Sequence, residues 1–149
     1  MNMKYKTGLI IGRFQPFHNG HLFVVREALK QVERVIIAIG STNSEDKENN
    51  PFSAKQVRDS IEQIAKQEGW DNKIAQLVDI PDTLSDDNAW LQDVLDQAES
   101  FDVVVSNNDW VTGIFRGAGY DVIELPFYKR HIYEGKKIRA AMRRNEELI

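Results

Sequence analysis

Five short apolar runs punctuate the chain, at residues 8–12 (GLIIG), 35–40 (VIIAIG), 74–80, 102–106 and 121–125. Each is rich in Val and Ile, as strands buried on both faces are. Between the runs, apolar residues recur at helical spacing. After His21, the residues Leu22, Val25, Leu29 and Val32 fall on one face. Val57, Ile61, Ile64 and Ala65 form a second stripe, preceded by Ser53 and Gln56 at the spacing of a capping box. Leu91, Val94, Leu95 and Ala98 form a third. Residues 109–117 give a weaker fourth helix that ends in a Gly-Ala-Gly turn. Residues 136–144 give a fifth, with Ile138, Ala141 and Met142 as its apolar face.

Strand and helix therefore alternate five times. Alternation of this kind predicts an α/β fold, a Rossmann-like, doubly wound, parallel five-stranded sheet with helices on both faces. In such sheets ligands sit outside the carboxyl ends of the strands, at the point where strand order reverses. The loops that begin at Gly12, Gly40, Ile80, Ser106 and Leu125 are thus the places to look for chemistry. The 149 residues predict one domain, large enough to bury roughly 68–70% of its unfolded surface.

Composition narrows the function. Hydrophobic residues make up 42% and charged residues 28%, ordinary for a globular protein. No apolar run approaches the ~20 residues of a membrane-spanning helix. The N-terminal MNMKYKTGLIIG lacks a small-residue cleavage site and reads as a first strand, not a signal peptide. A cytoplasmic protein without membrane attachment is the expectation. There is no cysteine, which excludes disulfides and thiolate metal sites. Three histidines leave little for an all-protein zinc site.

The net charge of −4 argues against a general nucleic-acid binder. The charge is uneven, however. Residues 79–102 hold eight Asp or Glu and no Lys or Arg, whereas residues 129–144 hold seven Lys or Arg and one Glu. One short basic segment in an acidic chain fits a small anionic ligand, and it equally fits solvated helix faces.

The first loop is the most specific feature. It reads Gly12-Arg13-Phe14-Gln15-Pro16-Phe17-His18-Asn19-Gly20-His21. Histidines three apart share one side of a helix's first turn. Unpaired backbone N–H groups and the helix dipole favour an anion there, and imidazole donors beside them make a phosphate site. Gly12 and Gly20 allow the backbone close to a ligand. For an isolated pair, the competing reading is one histidine that caps the helix and one that is exposed. In an open cleft, replacement of either histidine would leave folding little affected.

GRFQPFHNGH resembles the signature of the H-x-G-H nucleotidyltransferases, in the spelling of the archaeal-type nicotinamide-nucleotide adenylyltransferases. Further landmarks follow in family order: Ile39-Gly40-Ser41, Asn50-Pro51-Phe52-Ser53-Ala54, Ile80-Pro81-Asp82 with Asn88-Ala89-Trp90, Ser106-Asn107-Asn108, Pro126-Phe127, and Tyr133 through Arg139. The resemblance implies that His18, His21, Arg13 and Arg139 serve catalysis at the triphosphate of ATP. It implies an ATP site of Gly12, Arg13, Phe14, His18, Gly20, His21, Ser106, Lys136, Ile138 and Arg139. It implies a nicotinamide mononucleotide (NMN) site of Ile39, Gly40, Ser41, Pro81, Asp82, Asn88, Trp90, Asn108 and Phe127. Trp90 offers a flat ring for a pyridinium, so that Trp90→Ala would weaken mononucleotide binding and spare ATP; a core role in its helix is the alternative.

The implied reaction joins ATP to NMN and gives NAD and pyrophosphate. Mg²⁺ would accompany ATP, carried by phosphates and water rather than by protein ligands. A homo-oligomer is compatible with the resemblance. Two departures stand out. Glu134 and Lys136 occupy places where related proteins carry a small hydroxyl residue and Thr, and Lys55-Gln56-Val57 replaces Gly-Glu-Arg, with Arg58 displaced by one. Two rival readings stay open: the same chemistry on another phosphorylated acceptor (phosphopantetheine, flavin mononucleotide or a polyol phosphate), and a nucleotide-binding module without catalysis.

Overall fold

A computed structural model describes residues 4–40, 51–81 and 87–126. The elements are β1 (Tyr5–Gly12), α1 (Asn19–Ala28), β2 (Val32–Gly40), α2 (Ala54–Glu68), β3 (Ile74–Ile80), α3 (Asp87–Gln97), β4 (Val103–Ser106), α4 (Asp109–Gly117) and β5 (Asp121–Glu124). All strand pairs are parallel, in the order β3-β2-β1-β4-β5. The chain winds outward from β1 to β3, then crosses to the far side of β1 for β4. Strand order thus reverses at β1, and the carboxyl end of β1 faces the crevice where such folds hold ligands.

Successive strand residues point to opposite faces, which explains the continuous apolar runs. Ile10, Ile37 and Val105 pack under α1 and α2, with Val24, Val25, Val57 and Ile61. Leu9, Ile36 and Val104 pack under α3 and α4, with Val94, Val111 and Phe115. Both layers are needed, because a parallel sheet buries both faces.

The predicted boundaries shift most at β1, α1 and β2. β1 begins at Tyr5 and β2 at Val32, three residues before each apolar run, because Tyr5 pairs with Val32 and Thr7 with Arg34. α1 correspondingly ends at Ala28, with Leu29 as its cap. Val32 therefore belongs to the strand and not to the helical stripe, where its spacing had placed it. At α2 the predicted capping box is present: Gln56 N–H donates to Ser53 Oγ at 3.1 Å, and Ser53 N–H to Gln56 Oε1 at 2.8 Å. The predicted fifth helix, residues 136–144, lies outside the described residues.

Candidate active site

The loop after β1 is built tightly. Phe14 takes φ +55° and is almost fully buried, a conformation rare for a bulky residue and typical of functional sites when it occurs. Its ring closes over Gly12, where a Cβ would meet two ring carbons at 3.0 Å. Gly12 pairs in register with Ile39. A Cβ on Gly40 would lie 3.7 Å from Gly12 O and 3.9 Å from Arg13 Cγ. The ends of β1 and β2 thus bring Gly12, Arg13, Ile39 and Gly40 together, with Arg13 exposed.

The two histidines begin α1. His18 is the N-cap, and its Nδ1 accepts from Gly20 N–H at 3.0 Å. His21, three residues on, returns the bond, its Nδ1 accepting from His18 N–H at 3.1 Å. Two imidazoles therefore do what Ser and Glu do in an ordinary capping box. The rings lie 3.8 Å apart, centroid to centroid. Because each Nδ1 is an acceptor, each neutral ring carries its proton on Nε2, as a donor.

Capping and ligand binding are thus not alternatives here, since each uses a different nitrogen. Loss of either histidine was expected to affect folding little; since both rings also bond the helix start, a modest loss of stability accompanies it. His21 also packs edge-on to Phe14 at 4.7 Å and beside Phe17 at 5.4 Å. Burial, and then the neighbouring His18, push its pKa well below 6.5, so it is neutral at physiological pH.

Other predicted residues fall around this centre unevenly. Pro81 follows Ile80, which pairs with Gly40. Ile39 is buried, so only its backbone can face a ligand. Ser106 is buried, and its Oγ accepts Asn108 N–H at 3.0 Å. Asn108 caps α4, with Oδ1 accepting Val111 N–H at 3.1 Å. Gly20 is buried within α1, and Asn88 is exposed in the first turn of α3. Ser41, Asp82, Phe127, Lys136, Ile138 and Arg139 lie outside the described residues.

Trp90 departs from the expectation of an open stacking platform. It is 8% exposed, within the core layer under α3 and α4. Its ring packs on Trp110 at 4.5 Å and edge-on to Phe115 at 6.0 Å. The helical stripe of α3 carries Trp90 inward with Val94. The exposed indole is Trp110, at 48%, whose Nε1 donates to Asp87 Oδ1 at 3.2 Å. Sequence reasoning missed Trp110, although its place two residues after Asn108 was a signal. It also missed Gln15, which bonds Phe52, and the ion pair of Arg58 with Asp79 near the end of β3. Among the described residues no group of three His, Asp or Glu is placed to hold a metal ion.

The crevice at the carboxyl end of β1 has two imidazole donors at a helix N-terminus, as expected of a nucleotidyltransferase, and residues 9–143 match the cytidylyltransferase-like family. The chain is 37% identical to a nicotinamide-nucleotide adenylyltransferase of Ignicoccus hospitalis, over 90% of this chain and 78% of the relative. It is 33% identical to one of Pyrobaculum neutrophilum, over 97% and 83%. Its fold is similar to the crystal structure of a bifunctional NMN adenylyltransferase/ADP ribose pyrophosphatase from Francisella tularensis, with a TM-score of 0.81 and 26% identity. That likeness covers 95% of this chain but 43% of the bifunctional protein, less than half its length. The chain belongs to the nicotinamide-nucleotide adenylyltransferase family.

Proposed function

We propose that this protein transfers the adenylyl group of ATP to nicotinamide mononucleotide, with NAD and pyrophosphate as products. The observation that carries the reading is the pair of imidazoles at the start of α1, each accepting a backbone N–H at Nδ1 and so leaving Nε2 to donate beside the carboxyl end of β1. A phosphate oxygen of the mononucleotide attacks the α-phosphorus of ATP. The new P–O bond forms as the bond between the α-phosphorus and the bridging oxygen breaks, and pyrophosphate leaves with that electron pair. The attacking phosphate is already ionised, so no Ser, Cys or Lys nucleophile is required.

The chain's part is positioning and charge stabilisation. His18 and His21 donate hydrogen bonds through Nε2, held in place by the bonds that their Nδ1 atoms accept at the start of α1, as charge develops. Arg13, exposed beside Gly12 and Gly40, adds a cation at the triphosphate. Gly40 leaves open the room that a side chain would fill, and Gly12 yields its room to the Phe14 ring. Arg139, Lys136 and Ile138 belong to the same triphosphate site in this proposal. Ser41, Pro81, Asp82, Asn88, Asn108 and Phe127 belong to the mononucleotide side, with Ile39 and Gly40 acting through backbone. Mg²⁺ would accompany ATP, held by the phosphate oxygens it prefers rather than by side chains, and would supply charge neutralisation at the pyrophosphate. No helix among the described residues is long and apolar enough to cross a membrane, and both substrates are water-soluble, so we place the reaction in the cytoplasm.

The test is incubation with ATP, Mg²⁺ and a panel of phosphorylated acceptors, with pyrophosphate release as readout. Release with nicotinamide mononucleotide, well above the other acceptors, is the expected result. Turnover of flavin mononucleotide, phosphopantetheine or a polyol phosphate alone would replace the acceptor. No turnover, with ATP still bound, would leave a binding module.

A further inference from the structure

The side-chain amide of Gln15 reaches from the histidine loop to the approach to α2 and takes both backbone groups of Phe52. Gln15 Oε1 accepts Phe52 N–H at 2.8 Å, and Gln15 Nε2 donates to Phe52 O at 3.0 Å. Gln15 is 6% exposed, one of few buried polar side chains among the described residues. A side chain here stands in for a strand, pairing donor with acceptor as one peptide pairs with another. The bonds join residues 37 apart in sequence.

What they join is informative. Gln15 follows Phe14, whose ring supports His21, and precedes Pro16, Phe17 and His18. Phe52 precedes Ser53, the N-cap of α2, and packs on the same core layer as Phe14 and Phe17. The chain meets the histidine loop at Gly40, against Gly12 and Arg13, and again at Phe52, against Gln15. Both contacts fall on the histidine loop. The φ of +55° at Phe14 is a conformation its own sequence does not favour, so surrounding bonds must hold it. The amide of the next residue is placed to do so.

We infer that Gln15 is a positioning residue: through its two bonds to Phe52 it fixes the Phe14 ring, and through that ring the imidazole of His21. The inference rests on the adenylyl transfer proposed above. Misplacement by about 1 Å of a transition-state group costs on the order of 10²-fold in rate. Loss of the amide therefore lowers kcat more than it raises the KM for ATP.

The experiment compares wild type with Gln15→Leu and Gln15→Glu, using steady-state kinetics across pH and ¹⁵N spectra of His21. Gln15→Leu keeps the size and loses both bonds, and kcat should fall about tenfold or more at every pH. Gln15→Glu is the discriminating variant. Its carboxylate accepts Phe52 N–H but sets an oxygen against Phe52 O, whereas its carboxylic acid accepts and donates as the amide does. The ratio of its kcat to that of wild type should rise as pH falls through the carboxyl pKa, which burial raises. A purely volumetric role would give a flat ratio, and that result overturns the inference, as does a kcat near wild type for Gln15→Leu. If wild type makes no NAD, the reaction fails, and the spectra still decide Gln15. A His21 signal in Gln15→Leu identical to wild type would sink the positioning role, and mixed Nδ1–H and Nε2–H forms would support it.

Discussion

In the proposed mechanism His21 carries two separable loads, and substitution should pull them apart. His21→Ala removes the acceptor for His18 N–H, a 3.1 Å bond, and the contacts with Phe14 and Phe17. Loss of a capping interaction costs roughly 0.5–2 kcal/mol. For a chain of this size each kcal/mol lowers Tm by about 2–4 °C, so a fall of a few degrees is expected. The same substitution removes the Nε2–H donor, and one preorganised donor is worth about 10²–10³ in kcat. His21→Glu restores the cap, since a carboxylate at this position accepts the N-cap N–H and suits the positive end of α1. It offers no donor and repels phosphate. Thermal unfolding and steady-state kinetics on both variants give the answer. His21→Glu should unfold above His21→Ala yet be at least as poor a catalyst. Turnover within threefold of wild type in His21→Ala, at saturating substrates, would refute the donor role. Equal melting of the two variants would refute the capping role.

Other substitutions test neighbouring parts of the account. Gly12→Ala puts a Cβ 3.0 Å from the Phe14 ring and should cost about 1–3 kcal/mol together with kcat, read by melting and by kinetics. Trp90→Ala should cost about 3–5 kcal/mol, as for other large buried aromatics, and lose affinity for both substrates together; selective loss of mononucleotide affinity would restore the stacking role. Below pH 6.5 the unfolded state protonates His21 while the folded state resists; this contribution is full above 6.5 and shrinks as pH falls toward the lowered folded value. Denaturant titrations from pH 8 to 5 should show that decline in wild type and less of it in His21→Gln. Arg139→Ala should raise the ATP KM more than Arg139→Lys, because only Arg grips two phosphate oxygens; equal ATP binding at two salt concentrations would make the basic tail a solvated face.

The sheet was legible because burial on both faces leaves continuous apolar runs in its central strands, as in Val35 through Ile39. Starts were less legible than ends. Tyr5, Thr7 and Val32 join the sheet through pairing across chain segments, which no local period shows. The first loop stood out as a candidate because ten residues of unusual type fall where a strand meets a helix. Its internal logic was not legible. Nothing in H-x-G-H states which ring nitrogen caps the helix, and that Gln15 bonds Phe52 is a contact between distant residues. The burial of Trp90 was not legible because a ring next to a polar Asn in sequence can still lie on the inward stripe of its helix. Trp110 is the ring left outside.

The central claim is direct transfer from ATP to nicotinamide mononucleotide at the histidine loop. ATP labelled with ³²P at the α position, with Mg²⁺ and the mononucleotide, measures it most directly. The account predicts label in NAD, equimolar with pyrophosphate, and none held by the protein during turnover. Label that ends in AMP, or that accumulates on the protein, would contradict it.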